Sequence, residues 1–240
     1  NVVDPQSLIE KYGADTARLF CLFAAPPERD LEWSDKGVEG CFRFLNRIWR
    51  LIVENQEKFI NIEPFDGNKP ISGDIKNLRR KTHLTIKKVT SDIEERFHFN
   101  TAISSVMELL NMIYQFEISK INDPISLSVL KEAFQTILLL LYPMVPHICE
   151  ELWERLGNSS SIMKAGWPSY NNEIIKAEEI TIVIQINGKV RSRISVPFDS
   201  GEEEIKQAAF SDQKVKEWIK DKEIKKTILI PQKLLSIVVK

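Results

Sequence analysis

The spacing of the apolar residues changes once along this chain of 240 residues, after Glu179, and that change constrains the fold more than any other feature. Before it, apolar residues return at helical intervals. Phe42, Leu45, Ile48, Trp49 and Ile52 mark one such face, and Ile103, Val106, Leu109, Leu110 and Ile113 another. After it, Thr181 to Ile186 is rich in β-branched residues, as strands are. Asn187-Gly188 is the strongest short hairpin signal in the chain. Lys189 to Val196 then alternates, with Val190, Ile194 and Val196 against Lys189, Arg191, Arg193 and Ser195.

Proline, glycine and cap residues set the expected boundaries. Asp4-Pro5 opens a first helix, which Gly13 interrupts; Ala14 to Ala25 continues it and Pro26-Pro27 stops it. Ser34 caps a long amphipathic helix over Asp35 to Phe59. Further helices are predicted over Asp74 to Phe97, over Asn100 to Ser119 with Asn100 as N-cap, over Ser126 to Leu141, and over His147 to Leu156 after Pro146. Asn61 to Gly73 and Asn158 to Tyr170 read as loops. Past the hairpin come one helix, Glu202 to Lys220, and strands at Thr227 to Ile230 and Leu234 to Val239. The chain is therefore expected to be mainly α: a helical bundle, then a small α+β (β-β-α-β-β) domain. Residues 1–60 hold connecting helices and the start of the bundle, 61–157 its remainder, 158–179 a linker with a hinge near Ala177, and 180–240 the last domain.

Composition narrows the class. The chain is 43% hydrophobic and 28% charged, ordinary for a globular protein and unlike a disordered one. The longest apolar run, Ile137 to Val145, contains Pro143 and is too short to span a bilayer. No secretory signal is visible, and Cys21, Cys41 and Cys149 are too scattered for a disulfide framework or a metal motif. A reducing, cytoplasmic setting follows.

A formal net charge of −1 argues against a strongly nucleic-acid-binding surface over the whole chain. The total conceals a division, however. Residues 180–240 carry 12 basic and 8 acidic side chains, net +4, and the residues before them 21 and 26, net −5. A basic module on an acidic body points to a localised anionic partner.

Catalytic patterns are few. Gly37 and Gly40 are not a phosphate loop and fit close helix packing better. His147-Ile-Cys-Glu-Glu lacks the second histidine of a metal helix, while His83 and His98 stand alone. No catalytic residue and no metal ligand is assigned. Two basic stripes stand out instead. Arg43, Arg47 and Arg50, with Asn46 beside them, share one helix face and make a plausible phosphate contact; a solvated face or ion pairs to another helix would leave the same pattern. Lys189, Arg191 and Arg193 fall two residues apart on one strand and are expected on one face, with Lys225, Lys226 and Lys233 near in sequence; RNA contact and edge protection both account for them. Arg79-Arg80-Lys81 and Lys87-Lys88 read as solvated helix surface, and Trp33, Trp153 and Trp167 as core anchors.

Several segments, in order, resemble a known family. Leu8-Ile-Glu-Lys-Tyr-Gly-Ala-Asp15 with Arg18-Leu-Phe is similar to the stretch after the KMSKS signature of class I aminoacyl-tRNA synthetases. Ala24-Ala-Pro-Pro, Leu31-Glu-Trp-Ser-Asp35 and Arg43-Phe-Leu-Asn-Arg47-Ile-Trp resemble the bacterial leucyl type in particular, as do Phe99-Asn-Thr-Ala-Ile103 and Pro146-His-Ile-Cys-Glu-Glu-Leu-Trp153. Gln185-Ile-Asn-Gly-Lys-Val-Arg191 and Pro231 to Val239 resemble that type's C-terminal tRNA-binding domain.

The resemblance covers the whole chain and implies the C-terminal portion of such an enzyme, with an anticodon-binding-type bundle. The catalytic fold, its HIGH and KMSKS signatures and the editing domain have no counterpart here. It implies docking of leucine tRNA by its elbow, variable arm and inner L, with ATP and Mg²⁺ used by a catalytic domain on the same chain or a separate subunit, and no cofactor in these residues. Arg43, Asn46, Arg47, Arg50, Lys189, Arg191, Arg193, Lys225, Lys226 and Lys233 are the candidate tRNA contacts. The valyl, isoleucyl and methionyl types share the bundle, and a protein-interaction module is a further alternative.

Overall fold

A computed structural model describes residues 5–26, 28–30, 32–63, 65, 67, 69–176, 179–197, 200–220, 222–231 and 233–240. The expected cap at Asp4 and the hinge near Ala177 lie outside the described residues. The chain divides into two compact units, residues 1–175 and 176–240.

The first unit is helical: α1 (Pro5–Tyr12), α2 (Ala14–Phe23), α3 (Asp35–Val53), α4 (Gln56–Phe59), α5 (Gly73–Glu94), α6 (Phe99–Ile113), α7 (Pro124–Leu141), α8 (Pro146–Arg155) and α9 (Asn172–Ile175). Two short 3-10 turns, Ile118–Lys120 and Ile162–Lys164, flank α7 and α8. The middle of the unit is α7, whose Leu130, Phe134, Ile137 and Leu141 are fully buried between α5 and α6. The short apolar run read from sequence, Ile137 to Val145, takes in the end of this 18-residue helix and the turn that follows it. By length and composition alone it could cross a membrane, but most of it is buried in the bundle core.

The boundaries follow local chemistry, including where they depart from expectation. The Ser34 Oγ accepts the Gly37 amide at 3.1 Å and caps α3. That helix stops at Val53 instead of running to Phe59: the Asn55 side chain donates to Leu51 O at 2.9 Å, and the chain turns so that Phe59 enters the core at 0% exposure. At the start of α6, His98 holds the N-cap position and Asn100 lies inside the helix, its Oδ1 buried without a partner. Helix α7 begins at Pro124, because the Asp123 carboxylate accepts the Ile125 and Ser126 amides and proline needs no partner for its nitrogen.

Residues 158–175 are not a linker but part of the first unit. Ile162 is buried, and Trp153 Nε1 donates to Ser160 O at 2.9 Å. The stretch then lies along α5: Trp167 Nε1 donates to Thr90 Oγ1 at 2.8 Å, Asn171 N donates to His83 Nδ1 at 3.2 Å, and Arg80 Nε donates to Ile175 O at 2.8 Å. Its polar composition hid these anchors, which are spaced along one side of α5. Gly157 ends α8 with φ +86°, and a Cβ there would lie 2.8 Å from Ile60 O, so both conformation and space require glycine.

Helix α2 fastens the corner between α7 and α8. Arg18 donates from Nε to Met144 O at 2.8 Å and from Nη2 to Pro143 O at 3.1 Å. Asp15, 9% exposed, accepts the Ile148 amide at 2.8 Å and meets His147 Nδ1 at 2.8 Å. A cation thus satisfies two carbonyls just past the end of one helix, and a carboxylate satisfies an amide in the first turn of the next. Lys131 of α7 performs a similar task, donating to Phe59 O at 2.8 Å and Ile62 O at 3.2 Å from a buried position. Burial lowers its pKa below the ordinary lysine value.

The second unit contains β1 (Glu179–Ile186), β2 (Lys189–Pro197), α10 (Glu202–Ser211), α11 (Gln213–Ile219), β3 (Ile224–Ile230) and β4 (Leu234–Val239). The sheet order is β2-β1-β4-β3, with β1 and β4 parallel and the other pairs antiparallel. Ile182, Ile184, Ile186, Ile194, Leu235 and Ile237 cover one sheet face and pack against Ile205, Ala209 and Val215 of the helices. The single helix expected over 202–220 is two, because Asp212 adopts ψ 130° and its side chain caps α11 by accepting the Val215 amide at 3.0 Å.

Candidate nucleic-acid interface

Helix α3 presents one face to the core and the opposite one outward. Phe44, Leu45 and Ile48 are buried at 4, 4 and 1% exposure, while Arg43, Asn46, Arg47 and Arg50 are exposed. The sequence expectation of a shared basic face therefore describes this helix. The four side chains are in different states. Arg47 is held: Nη2 donates to Asn111 Oδ1 at 2.8 Å, its guanidinium carbon lies 4.5 Å from the centre of the Tyr114 ring, and Tyr114 OH donates to Arg47 O at 2.9 Å. Asn46 Nδ2 donates to Phe42 O at 2.8 Å, back onto its own helix. Arg43 and Arg50 make no side-chain hydrogen bond or ion pair among the described residues. Beside the stripe, Tyr12, Asp15, Thr16, Phe42, Asn46 and Trp49 line a cleft of about 220 Å³.

The stripe on β2 is not one stripe. Ser192 pairs with Ile184 but Val190 pairs with Gln185, so Arg191 is an extra residue in the ladder, a β-bulge. Cross-strand partners share a face. Arg193, opposite Val183, lies on the open face, whereas Lys189, opposite Ile186, lies on the side that carries the helices. Arg191 turns to that helical side as well, its guanidinium 3.5 Å from the centre of the Trp218 ring of α11. Strict alternation would have put Val190 inward; the bulge leaves it 52% exposed. Period-two counting carries no signal for an inserted residue, so the expectation of one face fails here.

The remaining candidates divide similarly. Lys225 is paired with Glu223 at 2.6 Å, while Lys226 and Lys233 are exposed. Lys226 pairs with Val238, placing it on the open face with Arg193, among exposed Ile228, Ile230 and Val238. An apolar sheet face bordered by cations was missed by the sequence reading, although Ile228 and Ile230 alternate in the predicted strand. The clusters expected to be solvated are largely engaged: Arg79 pairs with Glu132 at 3.1 Å and lies over Phe65, and Lys81 pairs with Glu108 at 2.7 Å. Trp153 is a core anchor, but Trp33 and Trp167 are 38 and 43% exposed, each with its indole N–H donated to a surface partner.

Exposed arginines thus lie on a bundle helix, and further cations on a small basic sheet domain later in the chain. Residues 76–207, more than half of the chain, match the family described as the anticodon-binding domain of tRNA ligase, and the chain belongs to that family. Its relatives are leucine–tRNA ligases. It is 51% identical over 241 residues to the one from Syntrophus aciditrophicus (strain SB), covering 100% of this chain and 28% of that protein. The leucine–tRNA ligase of Geotalea uraniireducens (strain Rf4) is also 51% identical, with 29% of its length covered. The chain thus spans under a third of the length of these relatives. Among solved structures, LeuRS agnB2 of Agrobacterium radiobacter K84, in a ternary complex with tRNA and LeuAMS, matches 100% of this chain and 31% of that one, at TM-score 0.71 and 30% identity. Mycobacterium tuberculosis methionyl-tRNA synthetase matches 69% of this chain at TM-score 0.55 and 18% identity, a likeness of fold alone.

Proposed function

We propose that this chain is the tRNA-docking part of a cytoplasmic leucine–tRNA ligase, holding leucine tRNA while a catalytic domain joins it to leucine. The observation that carries the reading is the exposed Arg43–Asn46–Arg47–Arg50 face of α3, cationic and turned away from the core. Guanidiniums suit phosphate oxygens because their planar donors match that geometry. In this reading α3 meets the inner side of the tRNA L. The second unit meets the elbow and variable arm with Arg193 and Lys226 on its open face and Lys189, Arg191, Lys225 and Lys233 around its edges. Aliphatic side chains between cations give such a face something to set against bases or sugars as well as phosphates.

ATP and Mg²⁺ belong to the catalytic domain of such a ligase. Among the described residues no group of three His, Cys, Asp or Glu could hold a metal ion, and no step of the chemistry is assigned to this chain. Its contribution is positional: binding energy gathered far from the reacting atoms fixes where the acceptor end lies.

The test is a titration of the chain with leucine tRNA across a salt series. Binding is expected to weaken steeply with salt. Changing Arg43, Arg47 and Arg50 together to Ala is expected to reduce the slope of log K against log salt by about 0.9 for each phosphate that is no longer neutralised. Binding that ignores salt, or is the same in the triple variant, would overturn the reading.

A further inference from the structure

We infer that Tyr114 and Asn111 are positioning residues for RNA binding, which hold Arg47 as the one preset guanidinium of the α3 face. The inference rests on the docking role proposed above and adds to it. Arg47 stands one helical turn from Arg43 and one from Arg50 on the same exposed face. The three differ in freedom. The Asn111 carbonyl oxygen takes one Arg47 N–H at 2.8 Å, and the Tyr114 ring lies under the guanidinium at 4.5 Å. The Tyr114 hydroxyl is itself fixed on Arg47 O at 2.9 Å, so ring and guanidinium are referred to the same residue of α3.

Each restraint is made from a group that leaves cationic capacity free. A guanidinium has five N–H donors, and Asn111 takes one. A neutral amide and an aromatic ring orient the charge without neutralising it, as a carboxylate would. Asn111 and Tyr114 lie near and just past the end of α6, a separate helix, so the restraint is tertiary and outlasts motion of the Arg47 side chain alone. An arginine that is already ordered loses less side-chain freedom when it closes on a phosphate. Arg43 and Arg50, without such partners among the described residues, bring charge but no preset direction. Arg47 therefore sets the register in which RNA meets α3, and its neighbours strengthen that contact.

The experiment is a double-mutant cycle on leucine tRNA binding by the full chain, at several salt concentrations. The variants are Arg47→Ala, Asn111→Leu and Tyr114→Leu, the last two alone and combined with Arg47→Ala, with Arg43→Ala as a reference. Arg47→Ala is expected to weaken binding and lower the salt slope. Asn111→Leu and Tyr114→Leu are each expected to weaken it by roughly two- to tenfold at unchanged slope, since the charge remains but must be ordered. In the Arg47→Ala background both are expected to have no further effect. Equal losses with and without Arg47 would mean that the two residues serve only folding, and would overturn the inference. So would an Arg47→Ala variant that binds like the parent while Arg43→Ala binds more weakly, although the docking role would survive. If no arginine variant changes binding, the docking role itself fails. Tyr114→Phe, which keeps the ring but loses its bond to Arg47 O, is expected to bind between the parent and Tyr114→Leu.

Discussion

Asn187 and Val239 are joined by two hydrogen bonds: the Asn187 side chain donates from Nδ2 to Val239 O at 3.0 Å, and its Oδ1 accepts the Val239 amide at 2.9 Å. The residue that makes the tight turn between β1 and β2 also closes the end of β4. Asn187 has φ 47° and Gly188 φ 76°, which suits a two-residue hairpin.

Asn187→Gly separates the two tasks. Glycine accepts the turn but not the clamp, so the variant is expected to lose about 1–3 kcal/mol of stability in the second unit, from two hydrogen bonds. Hydrogen exchange checks it: the Val239 amide should lose protection before the amides of α7 do. Unchanged protection would show that the clamp contributes nothing.

Asp15→Ala tests the corner between α7 and α8. The carboxylate is nearly buried and is the acceptor for the Ile148 amide. Its removal leaves an amide at a helix start without a partner, with an expected loss of about 1–3 kcal/mol in urea unfolding. Asp15→Asn, which retains an acceptor oxygen, should recover part of it.

The cap of α7 gives a pH dependence with a definite sign. The Ser126 hydroxyl and amide hold the Asp123 carboxyl below its ordinary value of 3.8. A group with a depressed folded pKa contributes stability that is full above its unfolded value and is lost as pH falls through the folded one. The difference in Tm between the parent and Asp123→Ala is therefore expected to be constant near neutrality and to shrink below pH 3.8. A difference that grows on acidification would contradict the assignment.

Phe97 sits at φ 53° with 62% of its surface exposed, where α5 turns toward α6. A left-handed conformation costs a non-glycine residue about 1–2 kcal/mol, and so exposed a ring returns little burial. Phe97→Gly is expected to raise Tm by a few degrees in a thermal melt, and a lower Tm would show that the ring has a packing role.

Much of the architecture was legible because it is written locally. Ser34, Gly157, Asn187-Gly188 and the interrupted helical faces mark elements that short-range chemistry decides. What the sequence concealed depends on partners far along the chain or on a change of register. The anchors at Trp167, Asn171 and Ile175 are set by residues of α5. The break at Asp212 was hidden by apolar residues that suit either one helix or two. The α3 face was readable because a helix keeps its period, and the β2 stripe was not because one extra residue at Arg191 resets it.

The bonds that Arg18 and Asp15 make to the α7–α8 corner bear on the order of folding. Arg18 and Met144 are 126 residues apart, and Asp15 and Ile148 are 133 apart. Helices α5, α6 and α7 meet through much shorter loops, and closing a short loop loses less chain entropy. The middle of the bundle can thus collect first, with α2 arriving afterwards to close the corner. During synthesis α2 could pack on α3 soon after both emerge, but Arg18 and Asp15 would wait for most of the unit before they had a corner to hold.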